Sequence, residues 1–374
     1  MIPVNEPLLG PREKELLAEC IDTGWISSDG PFVSRFEDLF ASYVGVDWGI
    51  AVCNGTAALE TALFAAGIGE GDEVIMPSFT IISCALAAIR LGAVPVLVDV
   101  EPETWNMDVD QVESRITPRT RAIMAVHIYG HPVDMDPVLE IARKHDLIVI
   151  EDAAEVHGAE YKGRRCGGLG HVSTFSFYAN KIITTGEGGM VLTSDREMAE
   201  RARSYRNLCF RPDKRFFHTE LGYNFRMTNL QAALGVAQME RIDEFVTIKR
   251  RLGAYYRERF AEVKGIRTQV EKPWARTVYW MYCIELDLSL GLSAEDMMAG
   301  LKEKKIGTRP FFLGLHEQPA LRDRGLFQGE RYPVTEQIAE QGLYLPSGLT
   351  LQESQIDQVV SAVRSVLSEK RARG

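Results

Sequence analysis

The sequence predicts an α/β fold, a mostly parallel sheet with helices on both faces, followed by a smaller C-terminal α+β unit. Three observations carry this. From Trp48 onward, short apolar runs alternate with helical stretches. Most of those runs are continuously apolar, as strands buried on both faces require. Beyond about Gly265 the strand-helix rhythm gives way to one strand signal and two helices. The 374 residues suffice for a large buried core and a second domain.

The elements follow in order. The first thirty residues are polar and turn-rich, with one amphipathic helix over 11–22. Strands are expected at 50–53, 73–76, 94–98, 122–127, 147–150, 172–177 and 190–193. Helices are expected between them at 56–66, 83–91 and 136–145. After Arg196 the pattern turns helical, and one long periodic stretch runs from Leu230 to about Val263 with little Gly or Pro. It carries the chain out of the large domain. The smaller unit holds a strand near 279–286 and helices at 294–305 and 353–370. The expected division is 1–250 for the N-terminal segment and large domain, and 251–374 for the small domain.

Composition narrows the function. Hydrophobic residues make up 45% and charged residues 25%, which excludes global disorder and a coiled coil. The net charge of −10 argues against a nucleic-acid binder. The densest basic clusters, 302–305 and 249–251, read as solvated helix faces. Six scattered cysteines without a CxxC pair suit reduced thiols in the cytoplasm. No leader pattern is expected at the N-terminus, and no run approaches the ~18 apolar residues of a membrane span.

Three fragments can carry chemistry. In Val52-Cys53-Asn54-Gly55-Thr56-Ala57-Ala58 a strand ends and a Gly-Thr step opens a helix. Its N–H groups and a hydroxyl form an anion site, although Asn54 can equally be a plain N-cap. Asp152 follows the strand at 147–150, where ligands of an open parallel sheet sit. It can hold a protonated ring nitrogen or a ribose hydroxyl, or simply be a turn residue. Lys181 follows a strand and precedes Gly186-Glu187-Gly188-Gly189. A desolvated lysine there becomes a nucleophile; alone it would read as a surface lysine beside a hairpin. Each signal is weak singly. Together they supply what pyridoxal phosphate requires: an anion site, a carboxylate for the ring nitrogen and an amine for the Schiff base.

With these residues in view, the whole chain from Pro3 to the C-terminal helix resembles the sugar-nucleotide aminotransferases. These are a branch of the aspartate-aminotransferase-like pyridoxal phosphate enzymes. The most specific pieces are Asn54-Gly55-Thr56-Ala57-Ala58-Leu59, Glu151-Asp152-Ala153-Ala154, Ser176-Phe177-Tyr178-Ala179-Asn180-Lys181, Gly186-Glu187-Gly188-Gly189 and Gly222-Tyr223-Asn224-Phe225-Arg226-Met227. The stretches from His127 to Asp136 and from Phe216 to Leu221 resemble members that act on a GDP-linked 4-keto-6-deoxy sugar.

The resemblance implies a seven-stranded sheet and a ping-pong transamination. L-glutamate would load the cofactor to pyridoxamine phosphate, and the amine would pass to C4 of GDP-4-keto-6-deoxy-D-mannose, giving GDP-perosamine for a surface polysaccharide. A UDP- or dTDP-linked keto sugar, aminated at C3 or C4, is the alternative. Lys181 would form the Schiff base and shuttle the proton, and Asp152 would pair with the ring nitrogen. Gly55, Thr56, Ala57 and Ser176 would surround the phosphate. Asn224 would reach the phosphate of a second copy, making a homodimer with a shared active site.

Two positions depart from the family pattern. Glu155 stands where many relatives carry Gln, near the ring hydroxyl, and an ionised carboxyl there would repel the phenolate unless protonated or turned away. Ile81 stands where many place a stacking aromatic, and offers only apolar packing. Trp25, Ser27, Ser28, Arg226, Phe312 and His316 are expected to contact the nucleotide sugar.

Rival readings are weaker. A dehydratase branch carries histidine in place of the lysine, and this chain keeps Lys181. A non-catalytic regulator would need a basic face or an added DNA-binding segment. Gly67-Ile68-Gly69-Glu70-Gly71 precedes a strand and misses the dinucleotide spacing. His127 and His131 flank Gly130 without a metal-ligand pattern, so no metal is expected; His127 reads as packed near the cofactor and His131 as a loop residue. His157 reads as a group behind the cofactor.

Overall fold

A computed structural model describes residues 1–211, 213–214 and 216–373. Fourteen strands are present among the described residues: β1 Trp48–Val52, β2 Glu73–Pro77, β3 Val94–Val98, β4 Thr120–Val126, β5 Ile148–Asp152, β6 Glu160–Tyr161, β7 Arg164–Arg165, β8 Val172–Ser176, β9 Gly189–Thr193, β10 Ile266–Thr268, β11 Ala275–Arg276, β12 Tyr282–Leu286, β13 Arg309–Pro310 and β14 Gly342–Leu345. Seven of them form one sheet in the order β1-β9-β8-β5-β4-β2-β3. Only β9 runs against the rest.

The continuous apolar runs have the expected cause. Along β2, Val74 and Met76 belong to one core and Ile75 to the other; along β4, Ala122 and Met124 face the first core and Ile123 and Ala125 the second. Successive side chains point to opposite faces, so a strand covered on both sides must be apolar throughout.

The helices that cover the sheet include α1 Pro11–Thr23, α2 Pro31–Val44, α3 Gly55–Ala65, α4 Ser83–Arg90, α5 Met135–His145, α6 Arg196–Tyr205, α7 Asn229–Met239 and α8 Ile242–Phe260. α2 lies just beyond the stretch read as turn-rich and was not expected. Its Pro31 sits at the first turn and its Phe32, Phe36 and Phe40 are buried, with Phe40 edge-on to Phe175 and Phe177.

The stretch read as one helix from Leu230 is two, parted at Glu240 and Arg241. The two halves serve different surfaces. α7 packs its small residues against α1 and α2. α8 leaves with Leu252, Tyr256 and Phe260 in a third apolar cluster. That cluster also takes α9 Ala294–Glu303, the terminal helix Glu353–Arg373, Ile2, and the four-stranded antiparallel sheet β10-β12-β14-β13.

One charge assignment is corrected here. Lys249, read as part of a solvated face, is only 3% exposed. It lies on the side of α8 that packs inward, and its Nζ donates to the carbonyl oxygens of Trp280 and Ser347. All six cysteines are free. Among the described residues no helix is long and apolar enough to cross a membrane.

Candidate active site

A cavity of about 560 Å³ opens beyond the carboxyl ends of β1, β2, β5 and β8. This is where a parallel sheet binds ligands, and the volume suits a cofactor with part of a substrate. Nine of the expected residues line it: Gly55, Thr56, Ala57, Ile81, Asp152, Glu155, Ser176, Lys181 and Phe312.

The anion site and the N-cap prove to be one feature. Asn54 ends the turn after β1, and its Oδ1 accepts the Ala57 N–H at 2.8 Å. The Ala57 N–H is therefore engaged. Gly55 and Thr56 keep first-turn N–H groups that have no intrahelical acceptor, and the Thr56 hydroxyl pairs with Ser83 Oγ at 2.9 Å. Glycine is needed at 55, because a Cβ there would lie 2.8 Å from Ser176 Cβ. Its absence lets the helix start approach the end of β8. Gly189 has the same role across the turn, where a Cβ would meet Asn54 O at 2.4 Å.

Asp152 is the last residue of β5 and is buried. Its Oδ1 accepts the Ala154 N–H at 3.1 Å, and its Oδ2 accepts from Cys84 Sγ at 3.2 Å. Lys181 enters from the loop after β8. Its Nζ lies 3.5 Å from Glu155 Oε1 and 3.7 Å from the centre of the Trp280 ring. Burial pulls the Lys181 ammonium below its ordinary range, opposed by Glu155 and Asp152. The amine is thus kept closer to its nucleophilic form.

Glu155 faces the cavity, and its Oε2 accepts the Tyr129 N–H at 2.7 Å. Burial raises its carboxyl to about 7, with Lys181 working in the opposite direction. A Glu at this position is therefore largely protonated below neutral pH, which removes much of the repulsion expected from the departure. A stability consequence follows for the protein without ligand. The folded carboxyl holds its proton up to about 7, against an ordinary value of 4.5. Its contribution to stability is full below 4.5 and is lost as pH rises through 7. The melting temperature of the wild type minus that of Glu155→Gln should therefore fall across this window. A difference independent of pH would contradict the assignment.

The histidines behave as packed groups. Val133 N–H donates to His127 Nδ1 at 2.9 Å, so Nε2 carries the hydrogen facing Glu151 Oε2 at 3.0 Å. Burial pushes the Glu151 carboxyl up, but His127 and the N–H groups of Gly167 and Gly170 hold it below the ordinary range. His131 lies in a loop yet is buried, and burial lowers it to about 4. His157 sits among Phe40, Phe175 and Phe177, where burial lowers it to about 3.

Other expected residues lie outside the cavity. Ser28 and Arg226 meet instead in a separate cavity of about 210 Å³, with Arg203 and Arg206. Trp25 is half-exposed, and its carbonyl and that of Ser27 accept hydrogen bonds from Asn229. Asn224 is exposed and accepts from Arg226 Nε at 3.0 Å. His316 is turned inward, against Tyr332 and 3.1 Å from Glu336 Oε1. The 3-10 turn Leu315–Glu317 and the helix Pro333–Gln341 enclose it.

Sequence reasoning missed Ser83, Trp280 and Tyr344, which also line the cavity. A hydroxyl just beyond β2 was a readable signal for Ser83. Trp280 and Tyr344 come from the C-terminal part of the chain, and no local pattern marks them.

Pyridoxal phosphate fits these donors. The helix start with Thr56, Ser83 and Ser176 suits a phosphate, Asp152 suits a protonated ring nitrogen, and Lys181 brings a desolvated amine to the same space. The sheet and its partner unit have the aspartate-aminotransferase-like arrangement, and the class so defined is the pyridoxal-phosphate-dependent aminotransferases. Comparison makes this specific. The chain belongs to the DegT/DnrJ/EryC1/StrS aminotransferase family, whose model matches residues 7–364.

It is 44% identical to the GDP-perosamine synthase of Caulobacter vibrioides over 98% of each chain. It is 39% identical to the GDP-perosamine synthase of Escherichia coli O157:H7 over 99% of each. Among solved structures it matches DesI, determined in the presence of its TDP-sugar product, with a TM-score of 0.89 and 32% identity over 100% of this chain and 95% of that one.

Proposed function

We propose that the protein transfers the amino group of L-glutamate to C4 of GDP-4-keto-6-deoxy-D-mannose, yielding 2-oxoglutarate and GDP-perosamine. The observation that carries this is the near-full-length identity to two GDP-perosamine synthases. The compartment we propose for it is the cytoplasm, where thiols stay reduced.

Bound pyridoxal phosphate supplies an electron sink that stabilises negative charge at the carbon losing or gaining a proton. The chain's residues do the rest. Lys181 Nζ anchors the cofactor and carries the proton between the reacting carbons. Asp152 holds the ring nitrogen protonated. Thr56, Ser176 and the first turn of α3 bind the phosphate, with Ala57 packing beside them. Glu155 would stand near the ring hydroxyl, and Ile81 would offer the ring apolar packing. Phe312, in the cavity wall, contacts the sugar. Asn224 lies on an exposed segment, and in a homodimer it reaches the phosphate of the second copy. Trp25, Ser27, Ser28 and Arg226 take the nucleotide end. His316, closed off by Tyr332 and Glu336, is left out of this set.

The test is product analysis by mass spectrometry. The holoenzyme and L-glutamate are incubated with GDP-4-keto-6-deoxymannose and, in parallel, with the UDP- and dTDP-linked 4-keto-6-deoxy sugars. Amination of the GDP sugar, with NMR placing nitrogen on C4, is the expected result. Amination confined to the dTDP or UDP sugar overturns the substrate and keeps the chemistry.

A further inference from the structure

Lys249 has no part in the chemistry described so far, yet its burial calls for a reason. Its ammonium lies inside the protein against two backbone carbonyls, those of Trp280 and Ser347, neither of which carries a formal charge. Burying a cation this way is expensive, and an apolar side chain of similar volume often does as well for stability alone. The location of the two carbonyls supplies the reason. Trp280 is the residue whose ring lies 3.7 Å from Lys181 Nζ. Its indole Nε1 also donates to Asn180 O at 2.8 Å, fixing the residue next to Lys181. Ser347 is held in turn, its Oγ accepting the Tyr282 N–H at 2.8 Å. One lysine on α8 therefore ties the start of β12 to the loop after β14, at the point where the indole reaches the active-site amine.

We propose that Lys249 is a positioning residue for Lys181, acting through Trp280: it fixes the Trp280 main chain so that the indole caps the Lys181 amine and keeps it aimed into the cavity. A charged lysine and a neutral one both carry at least two N–H donors. The two carbonyl contacts thus persist on either side of the value of about 7 to which burial lowers Lys249.

The inference rests on Lys181 carrying the cofactor, and failure of that reading would show separately, as a cofactor absorption band that survives Lys181→Ala. The test uses the holoenzyme of Lys249→Met, which keeps the length of the side chain and removes the donors. Two quantities are read: the pH midpoint of the cofactor's visible band, and kcat with KM for both substrates. The midpoint should move by about half a unit or more, and kcat should fall about tenfold with KM little changed. In a Trp280→Leu background the same substitution should add nothing further. A folded Lys249→Met enzyme with wild-type midpoint and kcat, altered only in melting temperature, overturns the proposal. So does a full additional effect in the Trp280→Leu background. If Lys249→Met does not fold, Lys249→Leu, which also removes the N–H donors, is read in the same way. Failure of both to fold leaves Lys249 a structural residue only and also overturns it.

Discussion

Lys181→Ala lowers turnover by more than about a thousandfold, because it removes both the nucleophile and the proton carrier from one site. Among the described residues Lys181 is the one lysine lining the cavity, so no second amine is placed to take over. Arg90 also lines it, but a guanidinium stays protonated and is paired with Glu60 at 3.2 Å. The fold survives the change. The amine contributes only the Glu155 contact at 3.5 Å and the face of Trp280, and the loop backbone stays pinned by Lys181 N–H to Tyr178 O at 2.9 Å. Losing the cation raises the Glu155 carboxyl further, since Lys181 is the charge that lowers it. The visible band of lysine-bound cofactor should disappear while the far-ultraviolet circular dichroism stays unchanged. Turnover within tenfold of wild type would remove Lys181 from the mechanism.

The second large effect is at Asp152. Asp152→Asn keeps the shape of the side chain and its Ala154 N–H contact, now to the amide oxygen, but deletes the charge. A carboxylate aimed at the ring nitrogen keeps that nitrogen protonated, and a neutral amide does not. The loss should be roughly 10²–10³ in kcat, the scale for removing one preorganised electrostatic contact. Cofactor binding should weaken less, because the first turn of α3 and the end of β8, which we propose hold the phosphate, are untouched. The pairing of a large fall in kcat with a retained absorption band separates this role from general destabilisation. A variant that loses the band and unfolds at lower temperature, with no specific loss of turnover, would make Asp152 a structural residue.

The parts of this site that were legible in the sequence share a physical origin. A strand buried on both faces writes itself as a continuous apolar run, and polar residues at or just past its carboxyl end stand out against it. Asp152 at the end of β5 and the Asn54-Gly55-Thr56 step after β1 were readable for that reason, whereas Ser176 at the end of β8 entered only through the family resemblance. Lys181 became readable only through its neighbours, since one lysine before a glycine turn says little. What was not legible depends on contacts between distant segments. Trp280 reaches Lys181 across nearly a hundred residues of chain, and Lys249 looks like any helix-surface lysine until β12 and the loop at Ser347 close over it. The break at Glu240 and Arg241 has the same character: the helical periodicity continues, but α7 and α8 pack on different surfaces. The inward direction of His316 was not legible because a histidine signals neither inward nor outward by itself, and Tyr332 and Glu336 decide it.

The central claim is that Lys181 carries pyridoxal phosphate in the cavity beyond β5 and β8. The holoprotein treated with borohydride and digested tests it most directly, with the pyridoxyl mass located by peptide sequencing. The expected result is one label per chain, on Lys181, absent from Lys181→Ala. A label on any other lysine, or none on a protein that still aminates its sugar, would contradict the account.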